Sequence, residues 1–255
     1  MFVRAQFPES QRRNQILQTY SLLCPTRGRP VQAKEVILSA HETADHPERI
    51  ETLLYVDSDD PSAPDYKKMV ESLKMGLLNN QTILLVTELR IGVISAFNHL
   101  TMLANGDVFV TAPDDHYFLS PGWDTRLDEE TAKFPDGLYC VWFNDNWESQ
   151  NFCTAPIISR IWVERLGYMH LPLFEHYFAD SWIWMLAKTI DRAVYIPDIT
   201  VEHRHWKTGK VPKDETYKLN ENTLGDSRYA RDRKAIDQFE RYFLADVALL
   251  QNAMK

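Results

Sequence analysis

Residues 104–124, ANGDVFVTAPDDHYFLSPGWD, place an apolar run directly before two adjacent carboxylates, Asp114 and Asp115. The run itself is short and rich in β-branched and aromatic side chains, which predicts a buried strand. Like charges at the end of such a strand repel each other unless something compensates them. A polar loop is one explanation of the pair. The other is that both carboxylates face a common cation or a ligand hydroxyl.

The region before this stretch alternates strand-like runs with helical spacing. The strand-like and helical segments occupy, in turn, residues 20–24, 31–44, 52–56, 65–78, 82–88 and 92–106. The last of them ends in an Asn-Gly pair, where glycine suits a left-handed helix cap. Alternation of this kind predicts an α/β fold with a mostly parallel central sheet flanked by helices.

Polar clusters follow three of the predicted strands, and they read PTRGRP, DSDDP and PDDH. In a parallel sheet the carboxyl ends of the strands share one edge, and ligands bind beyond that edge. Arg27 and Arg29 could there meet the phosphates or the base of a nucleotide. Asp57 could accept a hydrogen bond from a base N–H or a ribose hydroxyl. The sequence lacks GxGxxG and GxxxxGK[ST], which excludes a Rossmann cofactor site and a P-loop.

Composition excludes several classes of function. The formal charge of −8 argues against a dominant electrostatic grip on nucleic acid. Three cysteines without a CxxC pattern argue against a zinc site or a disulfide framework. No apolar run approaches the ~18 residues that span a bilayer, and the N-terminus lacks the apolar core of a signal peptide. We therefore expect a cytoplasmic protein with no membrane span.

The acidic pair suits a metal diphosphate better than an all-protein metal cage. Mg²⁺ and Mn²⁺ prefer hard oxygen ligands, with few of them from protein and the rest from phosphate and water. Without a cation, Asp114 and Asp115 are expected to repel each other and to cost the folded protein stability.

The second half of the chain has a less regular pattern. Strands are predicted at 137–143, 152–159 and 193–206, and helices at 160–167, 180–190 and 228–250, with a polar loop at 207–227. We expect a single domain over 1–255, with a nucleotide-binding half at about 20–112, a metal and acceptor half at about 113–210, and a polar loop and C-terminal helix at 211–255. Four tryptophans are candidates for a sugar platform or for the core: Trp142, Trp147, Trp182 and Trp184.

With all three strand ends in view, the chain resembles glycosyltransferases of the GT-A fold, most like the family-2 type. In that family a VDD-like motif contacts the nucleotide, and a later Asp motif binds the metal diphosphate. YVDSDDP and TAPDDHYFLSPGWD stand in those places here. More narrowly, PTRGRP, DDH…PGWD and EHRHW…GK…D resemble proteins encoded by phages and actinobacteria. The resemblance covers about residues 20–235, and Pro113 departs from it where many members carry a further Asp.

The resemblance implies a donor site and a metal site. The positions that would contact the nucleotide are Thr26, Arg27, Arg29, Asp57 and Arg90. The implied cofactor is Mn²⁺ or Mg²⁺, with Asp115 as a direct ligand and Asp114 as a partner of the ribose or of the metal's outer shell. His203 is the favoured third ligand, ahead of His205, which shares its face if the segment is extended.

The family also places an acidic catalytic base before a late helix, often within a Glu-Asp pair. Asp180 matches that position, but Ala179 stands where the first acid would be. An Asp before an apolar helix is also an ordinary N-cap. Glu175 and His176 are rival bases.

The function implied by the resemblance is metal-dependent transfer of a sugar from a nucleoside-diphosphate sugar, such as a UDP-sugar, to an acceptor hydroxyl with inversion. The acceptor classes it implies are a modified DNA base, a virion protein and a glycan. Two alternatives stay open. The first is a nucleotidyltransferase of related fold. Such enzymes usually have a Gly-rich first loop that ends in Lys, and CPTRGRP has neither feature. The second alternative is a catalytically inactive protein that binds a nucleotide-sugar, which would explain why Ala179 stands where the family has an acid.

Overall fold

The computed structural model describes residues 17–254, without the side chains of residues 219–228 and 237. The strands are β1 (Tyr20–Thr26), β2 (Ile50–Asp57), β3 (Thr82–Glu88), β4 (Val108–Thr111), β5 (His116–Phe118), β6 (Cys140–Asn144), β7 (Ile157–Ser159) and β8 (Ala193–His203). The helices are α1 (Pro30–Thr43), α2 (Ala63–Met75), α3 (Val93–Leu103), α4 (Trp123–Thr131), α5 (Arg160–Leu166), α6 (Ala179–Thr189), α7 (Glu215–Gln238) and α8 (Glu240–Ala253). Over these described residues no helix is both long and apolar enough to cross a bilayer.

The eight strands form one sheet in the order β3-β2-β1-β4-β7-β6-β8-β5. The first four strands are parallel to one another, as the alternation of strands and helices predicts. In the second half, β7 is antiparallel to both β4 and β6, and β5 is antiparallel to β8. The register pairs Thr26 with Val56 and Leu23 with Thr111, so the carboxyl ends of β1, β2 and β4 lie at the same edge. The three polar clusters therefore share one edge of the sheet.

Helices cover both faces of the sheet, which explains why β1 and β4 are buried along their length. Leu22 and Leu23 are successive residues, so their side chains point to opposite faces. Leu23 packs in the cluster that contains residues of α3, α6 and α8. Leu22 packs with residues of α1 and α4. Each of the two side chains is about 1% exposed or less. They hold β1 in the core, and the site begins where this strand ends.

The Asn-Gly pair has a different role from the one predicted. The C-cap of α3 is Ala104 in an extended conformation, so the prediction of a left-handed glycine cap is wrong. A Cβ at Gly106 would lie 2.5 Å from the Ser21 Oγ and 2.8 Å from the Ser21 nitrogen. Glycine is therefore required there because the chain passes directly against β1. The carboxylate of Glu51 accepts the backbone N–H groups of Asn105 and Gly106 and holds this approach.

The PGWD motif fixes the chain after β5. Gly122 takes a φ of +73° at the start of α4, where a Cβ would lie 2.9 Å from an Asp45 carboxylate oxygen. Trp123 is fully buried and donates its indole N–H to the Ala40 carbonyl at 2.9 Å. The buried Asp124 carboxylate pairs with Arg49 at 3.0 Å. The motif thus locks the start of α4 to the end of α1.

The C-terminal region differs most from its prediction. Helix α7 begins at Glu215, inside the segment predicted as a polar loop, and a break near Phe239 separates it from α8. The strand predicted at 152–159 is limited to β7. Strand β5 and helix α4 were not predicted at all. These differences matter because α7 and β5 both reach the site.

Candidate functional site

A cleft of about 810 Å³ lies beyond the carboxyl edge of the parallel strands. Volumes of this order are typical of small-molecule sites. Its lining includes most of the residues that the sequence singled out, namely Thr26, Arg27, Arg29, Asp57, Arg90, Asp114, Asp115, Glu175, His176 and His205. Asp180 and His203 are not among the residues that line it. The predicted convergence of strand ends therefore exists.

One end of the cleft is built by the residues after β1, β2 and β3. The Arg27 guanidinium donates to Asp57 Oδ2 at 2.9 Å, and Arg90 Nε approaches the same oxygen at 3.8 Å. Arg27 also donates to Asp59. The Asp57 side chain is 15% exposed, so this carboxylate lies between two arginines and is partly shielded from solvent.

The Asp114 carboxylate is directed towards the end of β1 and away from the groups that contact Asp115. The Arg29 guanidinium donates to its Oδ1 at 2.8 Å, and the Thr26 hydroxyl donates to its Oδ2 at 2.6 Å. Burial raises the pKa of Asp114 to about 6, although the charge of Arg29 opposes this shift. Asp114 is therefore paired with Arg29, and a cation shared by both carboxylates stays a prediction.

Asp115 faces the opposite side, where two histidines meet. His116 Nδ1 lies 2.8 Å from Asp115 Oδ1, and His203 Nε2 lies 3.4 Å from Oδ2. The pairing of β5 with β8 places the two histidines opposite each other, with ring centroids 4.0 Å apart. Burial alone would raise the pKa of Asp115, but hydrogen bonds and charge from His116 and His203 lower it well below its ordinary value.

These three residues have the composition of a divalent-metal site. One ligand atom from each of Asp115, His116 and His203 lies within 4.8 Å of the others. His116 Nε2 and His203 Nδ1 are buried and have no hydrogen-bond partner within the described chain. Burial and the neighbouring His203 lower the pKa of His116, which favours the neutral imidazole that binds metals. A carboxylate with imidazoles is an acceptable donor set for Mn²⁺.

His205, the rival third ligand, lies outside this cluster. Its ring stacks on Trp147 with centroids 5.3 Å apart and an interplanar angle of 13°. Its Nδ1 accepts the backbone N–H of Lys207. Trp147 is 40% exposed, whereas Trp142 and Trp182 are buried in the core. Of the four candidates, Trp147 contacts His203 and His205, while a tryptophan outside that set, Trp206, lines the cleft.

The first turn of α7 covers the junction between the two carboxylates. The Tyr217 hydroxyl donates to Asp115 Oδ2 at 2.9 Å, and its ring lies 4.0 Å from the Arg29 guanidinium carbon. Both oxygens of Asp214 accept from Arg29, at 2.7 and 2.9 Å. Arg29 and Asp115 therefore already have partners from α7, and a phosphate or a cation would compete with them.

Asp180 lies in the first turn of α6, at its second residue. The N-cap of α6 is Phe178, which has a φ of +63°, so the interpretation of Asp180 as the N-cap is wrong. Its carboxylate accepts the N–H of Ser181 at 2.7 Å. Burial raises the pKa of Asp180 to about 6, while the Ser181 hydrogen bond and the nearby charge of His203 lower it. A carboxylate of this pKa can exchange protons near neutral pH.

The rival bases lie on a loop that α7 holds in place. The Asp232 carboxylate, 1% exposed, accepts three successive backbone N–H groups, those of Glu175, His176 and Tyr177, at 3.1, 3.0 and 2.8 Å. The Glu175 carboxylate pairs with Arg231 at 2.7 Å. Glu175, His176 and Tyr177 all line the cleft.

Solved structures of glycosyltransferases share this architecture. A mannosyltransferase from Pyrobaculum calidifontis, PcManGT in complex with GDP-Man and Mn²⁺, superposes with a TM-score of 0.60 at 18% identity, over 93% of this chain and 72% of that one. TarS of S. aureus superposes with a TM-score of 0.55 at 12% identity, over 79% of this chain and 38% of TarS. A TarS fragment, 1-349, in complex with UDP gives a TM-score of 0.50 at 13% identity, over 70% and 60%. The chain has the fold of these glycosyltransferases.

The predicted GT-A fold is thereby confirmed, with the strand ends at the cleft as described above. At 12–18% identity the likeness concerns the fold and carries no residue role. No protein-family model matches the chain, and no curated protein matches it by sequence. The chain spans well under two thirds of TarS.

Sequence reasoning missed four side chains that shape the site: His116, Asp214, Tyr217 and Asp232. His116 had a signal, since it directly follows the acidic pair in PDDH. The other three lie on or beside α7 and carry no local pattern that links them to residues more than 50 positions away.

Proposed function

We propose that the protein transfers a sugar from a nucleoside-diphosphate sugar to an acceptor hydroxyl and uses a bound Mn²⁺ or Mg²⁺. The observation that carries this proposal is the Asp115–His116–His203 cluster beside a cleft whose other end holds Asp57 between two arginines. In a nucleoside-diphosphate sugar the diphosphate would lie beside the cation held by the cluster, and the base would lie at the end that holds Asp57 and the two arginines.

The residues of the cluster would hold the cation, with Asp115, His116 and His203 as ligands. When bound, the cation would supply positive charge to the diphosphate that departs with the nucleoside. Arg29 is 6% exposed and lies beside Asp114, so it can hold phosphate oxygens once Asp214 releases it. Thr26 positions Asp114 through its hydroxyl.

Asp180 is the base we propose. In an inverting transfer, the acceptor hydroxyl gives its proton to the base while its oxygen bonds to the anomeric carbon and the bond to the diphosphate breaks. The pKa of about 6 leaves Asp180 largely ionised at neutral pH, yet basic enough to take that proton. Glu175 and His176 line the cleft and remain the rival bases. The acceptor is a modified DNA base, a virion protein or a glycan.

The direct test is incubation of the protein with UDP-sugars and GDP-sugars, with Mn²⁺ or with EDTA, followed by quantification of the products. Release of a nucleoside diphosphate that EDTA prevents supports glycosyl transfer or donor hydrolysis. Pyrophosphate as the product would indicate a nucleotidyltransferase. Binding of the donor without any product would indicate an inactive nucleotide-sugar-binding protein.

Tyr217→Phe is expected to tighten Mn²⁺ binding in the presence of saturating UDP. The Tyr217 hydroxyl occupies Asp115 Oδ2, and a cation must displace it. A hydrogen bond to a charged group contributes about 1.5 kcal/mol, which corresponds to a roughly tenfold lower Kd when the competitor is gone. Isothermal titration calorimetry measures this change. Tyr242→Phe on α8 is the matched control, and an unchanged or higher Kd for Tyr217→Phe would contradict the competition.

A further inference from the structure

Two loops at the mouth of the cleft expose apolar side chains. Leu89 and Ile91 follow β3 and are 78% and 41% exposed, and Leu173, on the loop before α6, is 46% exposed. Ile91 lines the cleft, and so does Pro172, the neighbour of Leu173. Single exposed apolar side chains are ordinary on a protein surface, but several of them around one opening indicate an interaction site.

The two loops belong to one continuous surface. A Cβ at Gly92 would lie 3.9 Å from the Glu175 carbonyl oxygen, so the loop after β3 adjoins the loop before α6. The Glu175 carboxylate pairs with Arg231 of α7 at 2.7 Å. The ring centroids of Tyr229, also on α7, and Tyr177 are 5.3 Å apart. Helix α7 therefore continues the surface that the two loops begin.

The part of α7 on this surface, residues 229–234 with the sequence YARDRK, is basic. Three of its side chains are exposed cations: Arg231, Arg233 and Lys234. Its carboxylate, that of Asp232, is 1% exposed and accepts hydrogen bonds from the loop amides. Arg90 adds a fourth cation, against the exposed carboxylates of Glu88 and Glu175. The two loops and this part of α7, which we call the mouth surface, thus have a positive balance in a chain of formal charge −8.

We infer that the mouth surface docks the protein on an anionic lipid surface. Exposed aliphatic side chains bury themselves at the boundary between headgroups and acyl chains, and Lys and Arg beside them bind anionic headgroups. Tyr229, 48% exposed, has the amphipathic ring that is enriched at such interfaces. Docking of this kind would bring the opening of the cleft to the headgroups.

Two other partners fit the mouth surface less well. Single-stranded nucleic acid also binds where cations and aromatic rings combine, but its bases stack on rings, which Leu89, Ile91 and Leu173 do not offer. A second copy of the chain would present the same surface across a two-fold axis. The cations of the two copies would then face each other, and like charges oppose such a contact.

The test is co-sedimentation of the full chain with vesicles of phosphatidylcholine, alone or with about 30 mol% phosphatidylglycerol. Binding to the anionic vesicles is expected to be at least about tenfold tighter than to the neutral ones and to weaken as NaCl is added. The double variant Leu89→Glu with Leu173→Glu is expected to lower the partition coefficient at least about tenfold, because it removes two apolar side chains that the lipid buries.

Matched variants test the position of the surface. Met102→Glu should bind as the wild type, since Met102 is 82% exposed but lies about 14 Å along α3 from Val93, which lines the cleft. Arg233→Glu with Lys234→Glu should remove the preference for anionic vesicles, whereas Lys74→Glu on α2 should keep it. Every substituted side chain is exposed, so all variants should retain the wild-type melting temperature.

Three results would overturn the inference. The first is no binding of the wild type to anionic vesicles, or binding that Leu89→Glu with Leu173→Glu leaves unchanged. The second is a wild-type dimer that the same variant makes monomeric, which would assign the surface to a second copy. The third is displacement of the vesicles by a single-stranded oligonucleotide, which would assign it to nucleic acid. The proposed function stands under each of these results, because neither leucine is among the residues that line the cleft.

Discussion

Asp115→Asn is expected to abolish the mutual reinforcement of Mn²⁺ and UDP binding. In the wild type, melting temperatures should rise more with both ligands than the sum of the two separate rises, because each ligand completes the site of the other. Asp115 is the carboxylate of the cluster with His116 and His203, so the amide removes the charged ligand. Loss of an outer partner of a metal ligand already costs about 10–100-fold in affinity, and loss of a ligand itself should cost at least about 100-fold.

The controls for this prediction separate the two carboxylates. Asp114→Asn should mainly weaken the nucleotide, since Asp114 contacts Arg29 and Thr26 and lies outside the cluster. His203→Ala should weaken the reinforcement without abolishing it. Simple additivity of the Mn²⁺ and UDP shifts in the wild type, or reinforcement that persists in Asp115→Asn, would show that the pair is only a polar loop.

The same variant reverses an expectation that the sequence alone suggested. Repulsion within the acidic pair predicts that the unliganded protein gains stability when the charge of Asp115 is removed. In the structure, the histidines hold the pKa of Asp115 well below its ordinary value. A depressed pKa in the folded state means that the ionised carboxylate stabilises the fold at neutral pH, and this contribution is lost as the pH falls through the folded pKa. Asp115→Asn should therefore lower the unliganded melting temperature at pH 7.

The first half of the fold could be predicted because its signals are local. Strands such as β1 and β4 are mostly apolar, and the helices between them have a helical spacing of apolar residues. Parallel strands then bring their carboxyl ends to one edge without any further information. This is why Arg27, Asp57 and Asp115 could be placed in one cleft from the sequence.

The remainder depends on contacts that no local pattern announces. β5 has three residues and exists because it pairs with β8, far along the chain, and that pairing brings His116 to His203. Helix α7 lacks a marked apolar stripe in its sequence, so the spacing of its apolar residues does not predict a helix. It contacts the site through hydrogen bonds, from Tyr217 to Asp115 and from loop amides to Asp232, and through the Tyr217 ring against Arg29.

Asp180→Asn is expected to retain donor binding and to lose about 10²- to 10⁴-fold in turnover, the usual contribution of a general base. The amide has nearly the same shape as the carboxylate but cannot take a proton. The wild-type rate should rise with pH through about 6, where Asp180 ionises, unless a bound cation near His203 moves this midpoint lower. Steady-state kinetics from pH 5 to 8, with the Kd of UDP measured in parallel, tests both statements.

Stability separates this catalytic role from a structural one. The pKa of Asp180 is raised in the folded protein, so ionisation costs the fold stability as the pH rises from its ordinary value of 3.8 through about 6. Asp180→Asn carries no such cost, and its melting temperature relative to the wild type should therefore increase between pH 4 and pH 7. Glu175→Gln is the matched carboxylate-to-amide variant on the loop that precedes α6, and it should leave turnover within a few-fold of the wild type. If Glu175→Gln loses turnover while Asp180→Asn keeps it, Glu175 is the base and Asp180 only shapes the start of α6. If Asp180 is the base, Asp180→Asn should be more stable than the wild type, should still bind UDP and should have lost turnover. If Asp180 only stabilised the helix, the same variant would be less stable and would keep its turnover.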